Sequence, residues 1–228
     1  MQMKKIEFDP AFVEAMEKEN ARRMPLLKEL KPDHWFHVYD TAKHCEIVLN
    51  EAVRMDGLHL ANGLYDFDAE LLRLAAMAHD WGKLETWNPD GSPWFAGHER
   101  VSAEILEGMD APDPLVRIVK YHGRCMEIDK FGDKAVRKLV RSISPKSIDR
   151  HIPVSSEPDG ALWLALKNKE VEVEGDLIAY YLLLICDCAG FSPEGRWSGF
   201  TQATQFAKLI GLPPLSFRMA RGAPQASG

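Results

Sequence analysis

The sequence predicts an all-α fold, a single-domain helical bundle, on three observations. Apolar residues recur at helical spacing along most of the chain, and strand-like alternation is scarce. Several apolar runs open on a helix-capping residue or a proline. No linker, repeat or low-complexity tract divides the 228 residues, a length that suits one domain with a substantial core.

The periodicity places helices at 10–23, 35–55, 68–81, 98–109, 114–123, 133–143, 174–189 and 200–210. Asp68 stands where it can cap "AELLRLAAMAHD", and Gly82 where a helix C-terminus favours left-handed backbone. Asp113 is placed to cap "PLVRIVKYH", with Pro114 at the first helical position, where its missing N–H costs nothing. "NPDGSP" at 88–93 and "SSEPDG" at 155–160 read as loops. Residues 144–173 read as an irregular excursion with a short helix, and "RGAPQASG" as a frayed tail.

A formal net charge of −6 excludes an overall basic, nucleic-acid-attracting surface but leaves room for one basic face. That face is 117–151, where Arg117, Lys120, Arg124, Lys130, Lys134, Arg137, Lys138, Arg141, Lys146 and Arg150 outnumber the acids. It offers either a phosphate-holding surface or ordinary solvated helix faces. Cys45, Cys125, Cys186 and Cys188 form no CxxC pair and suit a reducing, cytoplasmic compartment. "MQMKKIEFDP" has no apolar core of a secretion signal. No stretch reaches the roughly 20 apolar residues that span a bilayer.

Three polar intrusions interrupt the apolar pattern. Asp187 follows ten uncharged residues in "LIAYYLLLICDCAGF". Such a helix is buried nearly all round, and an unpaired carboxylate there costs several kcal/mol or takes up a proton. Asp187 therefore needs a cation, strong donors or a proton, unless it reaches solvent at the helix end. His79 and Asp80 close "LLRLAAMAHDWG". Neighbours on a helix point roughly 100° apart, so both reach one ion only if it lies close to the helix. In "HWFHVYDTAKHCEIVLNEA", His37 and His44 lie about two turns apart on one face. Each histidine alone reads as structural. Together, His44, His79, Asp80 and Asp187 put a mixed N/O ligand set on three helices, suited to Fe, Mn, Zn or Mg. Helical bundles build metal sites from such facing side chains.

With these residues in place, the chain resembles the HD superfamily of metal-dependent phosphohydrolases. That family's pattern is a His, an adjacent His-Asp pair and a distant Asp, which fall here on His44, His79–Asp80 and Asp187. "AAMAHDWGK", "FAGHERVSAEIL", "VKYHGR" and "LLLICDCAG" are similar to successive family segments. "FHVYDTAKH" looks like the opening of HD domains in CCA-adding tRNA nucleotidyltransferases and uridylyltransferase regulators. The likeness spans about residues 34–190. It implies an HD core there, a helical extension at 1–33, and a C-terminal helix and tail at 191–228. No nucleotidyltransferase domain accompanies it, so the resemblance implies a stand-alone HD domain.

The resemblance also implies roles. His44, His79, Asp80 and Asp187 become metal ligands, with Asp80 also able to touch the attacking water or bridge two ions. His98 and His122 are candidates for a second ion or for phosphate contact. Lys83 is implied as a phosphate contact or transition-state stabiliser, against an ordinary cation at a helix C-terminus. Arg124, two residues after His122, is the basic residue best placed for phosphate. Glu99 reads as a helix cap or as a residue that orients a ligand.

The function implied is hydrolysis of a phosphomonoester or a 2′,3′-cyclic phosphodiester of a nucleotide or RNA end. It would use a divalent ion (Fe, Mn, Ni, Co, Zn or Mg) and involve no membrane partner. A non-catalytic nucleotide-sensing HD module and an HD-type di-iron oxygenase are the alternatives. A guanosine-tetraphosphate hydrolase is disfavoured, because "WGKLET" replaces the acidic pair that follows the HD pair in those proteins.

Overall fold

Asp9 starts the first helix, α1 (Pro10–Leu27), by accepting from Ala11 N at 2.8 Å, with Pro10 in the first turn. The structure is a computed structural model and describes residues 5–31, 39–62, 65–90, 95–127, 136, 138–144, 175–212 and 215. Helix α1 runs past the expected end at 23. Pro25 removes one donor, yet Lys28 N still reaches Met24 O at 3.1 Å and closes the last turn.

Helix α2 (Thr41–Asn62) starts later than expected, because Asp40 Oδ1 takes Lys43 N at 2.8 Å and so marks the helix start. His37 lies outside the described residues. In α3 (Ala69–Ala78), Asp68 caps as expected, accepting from Glu70 N and Leu71 N at 3.1 Å. Its second oxygen takes Ile6 N at 2.7 Å, which ties down the segment before α1.

The end of α3 corrects the sequence reading. The helix stops at Ala78, a tight turn follows, and α4 (Lys83–Thr86) is a single further turn. Gly82 is right-handed there, with φ −67°, rather than the left-handed cap expected. Glycine is required for space: a Cβ would lie 2.7 Å from Ser102 N and closer still to His98 O. A left-handed glycine, Gly97 at φ 80°, instead leads into α5 (His98–Gly108).

Helix α6 (Asp113–Tyr121) also differs at its start. Pro112 occupies the cap position, with no side-chain capping bond, and Asp113 falls in the first turn. Asp113 instead lies 3.4 Å from Arg117, one turn along the helix. A 3-10 turn (His122–Glu127) follows, then α7 (138–143). Helix α8 (Gly175–Ala189) matches its expected bounds closely. Helix α9 (Pro193–Leu209) begins well before residue 200, because Ser192 Oγ accepts Gly195 N at 3.0 Å and Pro193 takes the first turn. The loop at 155–160, most of the excursion 144–173 and the tail 221–228 lie outside the described residues.

Helix α8 is the central post. It packs against α2, α3 and α9, while α3 also meets α6, and α5 lies along α6. Leu177 to Cys188 are buried without a break, and each buried leucine contributes roughly 1.5–3 kcal/mol. The core continues through Leu72, Leu74, Leu115 and Ile118, all fully buried. Among the described residues there is no strand. No helix among them is long and apolar enough to cross a membrane. Helix α1 packs across α2, α3 and α4, beside the tight turn.

Candidate metal centre

Helix α2 supplies His44, the turn after α3 supplies His79 and Asp80, and the end of α8 supplies Asp187. All four are buried. His44 Nε2 lies 3.0 Å from Asp187 Oδ1, 3.4 Å from Asp80 Oδ2 and 3.3 Å from His79 Nε2. His79 Nε2 is 3.3 Å from Asp80 Oδ2 and 3.8 Å from Asp187 Oδ1. The three polar intrusions read from the sequence thus converge in one cluster.

The convergence has a second half. His98, at the start of α5, points Nε2 to within 3.2 Å of Asp80 Oδ1. His122, just past α6, places Nε2 3.7 Å from the same oxygen. Asp80 therefore offers one oxygen to each side. His44, His79 and Asp80 form one group that could hold a metal ion, and Asp80, His98 and His122 form a second.

Three of the rings are preset. His79 Nδ1 meets Ala76 O at 2.8 Å, His98 Nδ1 meets Phe95 O at 2.9 Å, and His122 Nδ1 meets Val119 O at 2.7 Å. A carbonyl can only accept, so each hydrogen sits on Nδ1 and the Nε2 lone pair of the neutral ring faces the cluster. His44 is seated by stacking on Phe191, with 5.6 Å between ring centroids. Gly190 makes room for it, since a Cβ there would lie 2.7 Å from His44 Cε1.

Lys83 is also buried, and its Nζ donates to Asp80 Oδ2 at 2.6 Å. The ammonium stands over the Phe95 ring, 5.1 Å from its centroid. Burial opposes both charges, but their partners outweigh it. Asp80 raises Lys83, while the charges of His79 and Lys83 hold Asp80 well below the usual carboxylate range. Burial lowers His79, whereas Asp80 outweighs burial at His122 and raises it. Burial would also raise Asp187, yet the hydrogen bond and charge of His44 lower it to about 2. The donors are therefore ionised carboxylates and imidazoles aimed at one centre, the chemistry a divalent ion takes.

The remaining sequence candidates scatter. Arg124 is exposed on the 3-10 turn. No side-chain cap bond starts α5, so Glu99 is not the cap expected. Its Oε2 lies 3.5 Å from His98 Nδ1, and Gly123 leaves space for its carboxylate. Arg117 is held by Ile143 O at 2.9 Å and by Asp113 and Asp176. With Lys120 it lines a cleft of about 490 Å³ shared with Glu107, Asp110 and Asp113, so acids offset the basic face there. Lys138 is exposed and Arg141 half-buried on α7. Lys130, Lys134, Arg137, Lys146 and Arg150 lie outside the described side chains.

Sequence reasoning misses the residues that hold the turn. Ser102 Oγ accepts Gly82 N at 2.8 Å and donates to His79 O at 2.9 Å. Arg23 Nη1 donates to Trp81 O at 3.0 Å. A serine among small residues in "RVSAE" is the one visible signal for Ser102. Nothing local in "NARRMP" marks Arg23.

An all-α bundle with a buried His/Asp cluster built around one shared carboxylate defines a class of helical proteins that could bind metal. The HD domain family matches residues 34–152, more than half the chain, and the chain belongs to that family. No curated protein and no solved structure matches the chain.

Proposed function

We propose that the chain is a metal-dependent phosphohydrolase that cleaves a phosphomonoester or a 2′,3′-cyclic phosphodiester of a nucleotide or RNA end. The observation that carries this reading is Asp80, whose two oxygens serve two separate groups of imidazoles while Lys83 neutralises it. His44, His79, Asp80 and Asp187 would hold one divalent ion; His98, His122 and Asp80 would hold a second. Such an ion supplies Lewis-acid polarisation of a phosphoryl oxygen and a more acidic bound water.

The chain's own residues do the rest. The carbonyl-anchored rings keep their lone pairs aimed inward, so no reorientation is needed when ligands bind. Lys83 brings a fixed positive charge to a buried site, where charge developing on a phosphoryl group is stabilised far more than in water. Arg124 is the exposed cation nearest His122 in sequence and serves the outer phosphate oxygens. The likeness of "FHVYDTAKH" to the opening of CCA-adding enzyme HD domains supports a nucleotide or RNA-end substrate. The sequence carries no glycine-rich phosphate loop, which favours one phosphoryl centre over a triphosphate.

The two groups sharing Asp80 also keep a second reading, an HD-type di-iron oxygenase, in which both groups hold iron. A panel of phosphoesters assayed with Mn, Ni, Co, Fe and Mg separates the two. Release of phosphate or opening of a cyclic phosphate supports the hydrolase, and Lys83→Ala is expected to lower turnover with metal still bound. No cleavage with any metal sinks the hydrolase. Oxygen uptake by the iron form then favours the oxygenase, and neither activity favours a nucleotide sensor.

A further inference from the structure

We propose that Arg23, on the N-terminal helix α1, is a positioning residue for the metal centre, and that α1 belongs to the working unit. The inference rests on the metal-centre reading above. Helix α1 lies wholly before the residues matched by the HD family, so nothing in that match assigns it a role.

Arg23 is 4% exposed, rare for an arginine. Its Nη1 donates to Trp81 O at 3.0 Å and to Glu85 Oε1 at 2.8 Å, and its Nε donates to Glu19 Oε1 at 2.6 Å. Trp81 and Glu85 flank Lys83 by two residues on either side. One guanidinium therefore grips the chain both before and after the lysine. The same group lies 5.9 Å from the Trp81 ring centroid, and the Trp81 indole donates to Asn20 of α1 at 3.2 Å.

The opposite end of the same peptide is held as well. A peptide unit is planar, and the unit joining Trp81 to Gly82 presents its carbonyl to Arg23 and its N–H to Ser102. Fixing both ends fixes the rotation of that plane. It lies between Asp80 and Lys83, which must meet at 2.6 Å. Without Arg23 the carbonyl keeps only the longer bond from Leu84 N, at 3.4 Å, so the plane is held less firmly and the direction of Asp80 toward the two imidazole groups loosens.

Partners that orient metal ligands from behind are worth roughly 10–100-fold in metal affinity or activity. The test is titration of the metal-free full chain with Mn²⁺, for wild type, Arg23→Met, Arg23→Lys and Arg73→Met. Arg73 is the comparison because it also ties α1 to the bundle, through Glu17 at 3.3 Å, and otherwise bonds Glu70 within its own helix. Arg23→Met is expected to bind Mn²⁺ about 10–100-fold more weakly, and Arg73→Met as tightly as wild type. Arg23→Lys keeps the charge and stem but cannot reach three acceptors at once, so it is expected to fall between. If Arg23→Met does not fold, Arg23→Lys decides. Wild-type affinity in a folded Arg23 variant overturns the proposal, as does an equal loss in Arg73→Met. Wild type that takes up no Mn²⁺ overturns the metal-centre reading itself, and this proposal with it.

Discussion

Gly82 shows how tightly the site is built at the level of single residues. Its backbone angles suit any amino acid, so its demand is for space against α5. Gly82→Ala must push His98 O and Ser102 N away, moving a candidate ligand helix and breaking the bond to Ser102. Overpacking of this kind costs about 1–3 kcal/mol, and more where backbone has to move. Urea unfolding is expected to show a loss of at least that size; an unchanged midpoint would mean that α5 does not approach the turn this closely. From sequence, Gly82 reads as the left-handed end of a helix, whereas α3 ends at Ala78 and Gly82 stands, right-handed, at the start of α4. A glycine needed for space and one needed for a positive φ look alike without the neighbouring helix. His79, Asp80 and Asp187 are legible because each breaks an apolar run, and such a break demands a partner.

At the level of elements, the helices most easily read are those whose start signals are local. Asp68 and α8 fall where the pattern places them. The start of α9 is legible in Ser192 and Pro193, but periodicity alone favours the stretch beyond them. The role of α1 is not legible, because its contact with the turn joins residues 23 and 81, and no short-range pattern encodes that pairing. The charge network on α1 makes a pH prediction. Glu19 is lowered from 4.5 to about 2, first by the hydrogen bond from Arg22, with burial opposing and Arg23 adding to the effect. A carboxyl with a depressed folded value adds stability that is complete above its unfolded value and is lost as pH falls through the folded one. Wild type should therefore exceed Glu19→Gln in unfolding free energy by a constant amount above about pH 4.5, and the gap should close toward pH 2. Metal-free protein unfolded in urea across that range checks it; a gap independent of pH would contradict the assigned pairing.

For the molecule as a whole, the bundle gathers His44, Asp187, His98 and His122 from distant parts of the chain around the turn that carries His79 and Asp80. The helical class is legible from periodicity, and the family from ordered motifs. The shared use of Asp80 enters only through the family resemblance, as a carboxylate able to bridge two ions; its geometry depends on how α5 and α6 bring His98 and His122 to the turn after α3. If the cluster is a metal centre, one side chain controls all binding. The most direct measurement is the metal content of wild type and Asp80→Asn after reconstitution with Mn²⁺ and desalting, read together with their melting temperatures. Wild type is expected to retain metal and to melt higher loaded than stripped, since a ligand at a hundredfold above its Kd adds about 2.7 kcal/mol to the native state. Asp80→Asn is expected to retain none and to melt at one temperature with or without the ion, because both groups lose their common carboxylate. Equal metal content in the two proteins, or a wild type whose melting ignores the ion, would contradict the account.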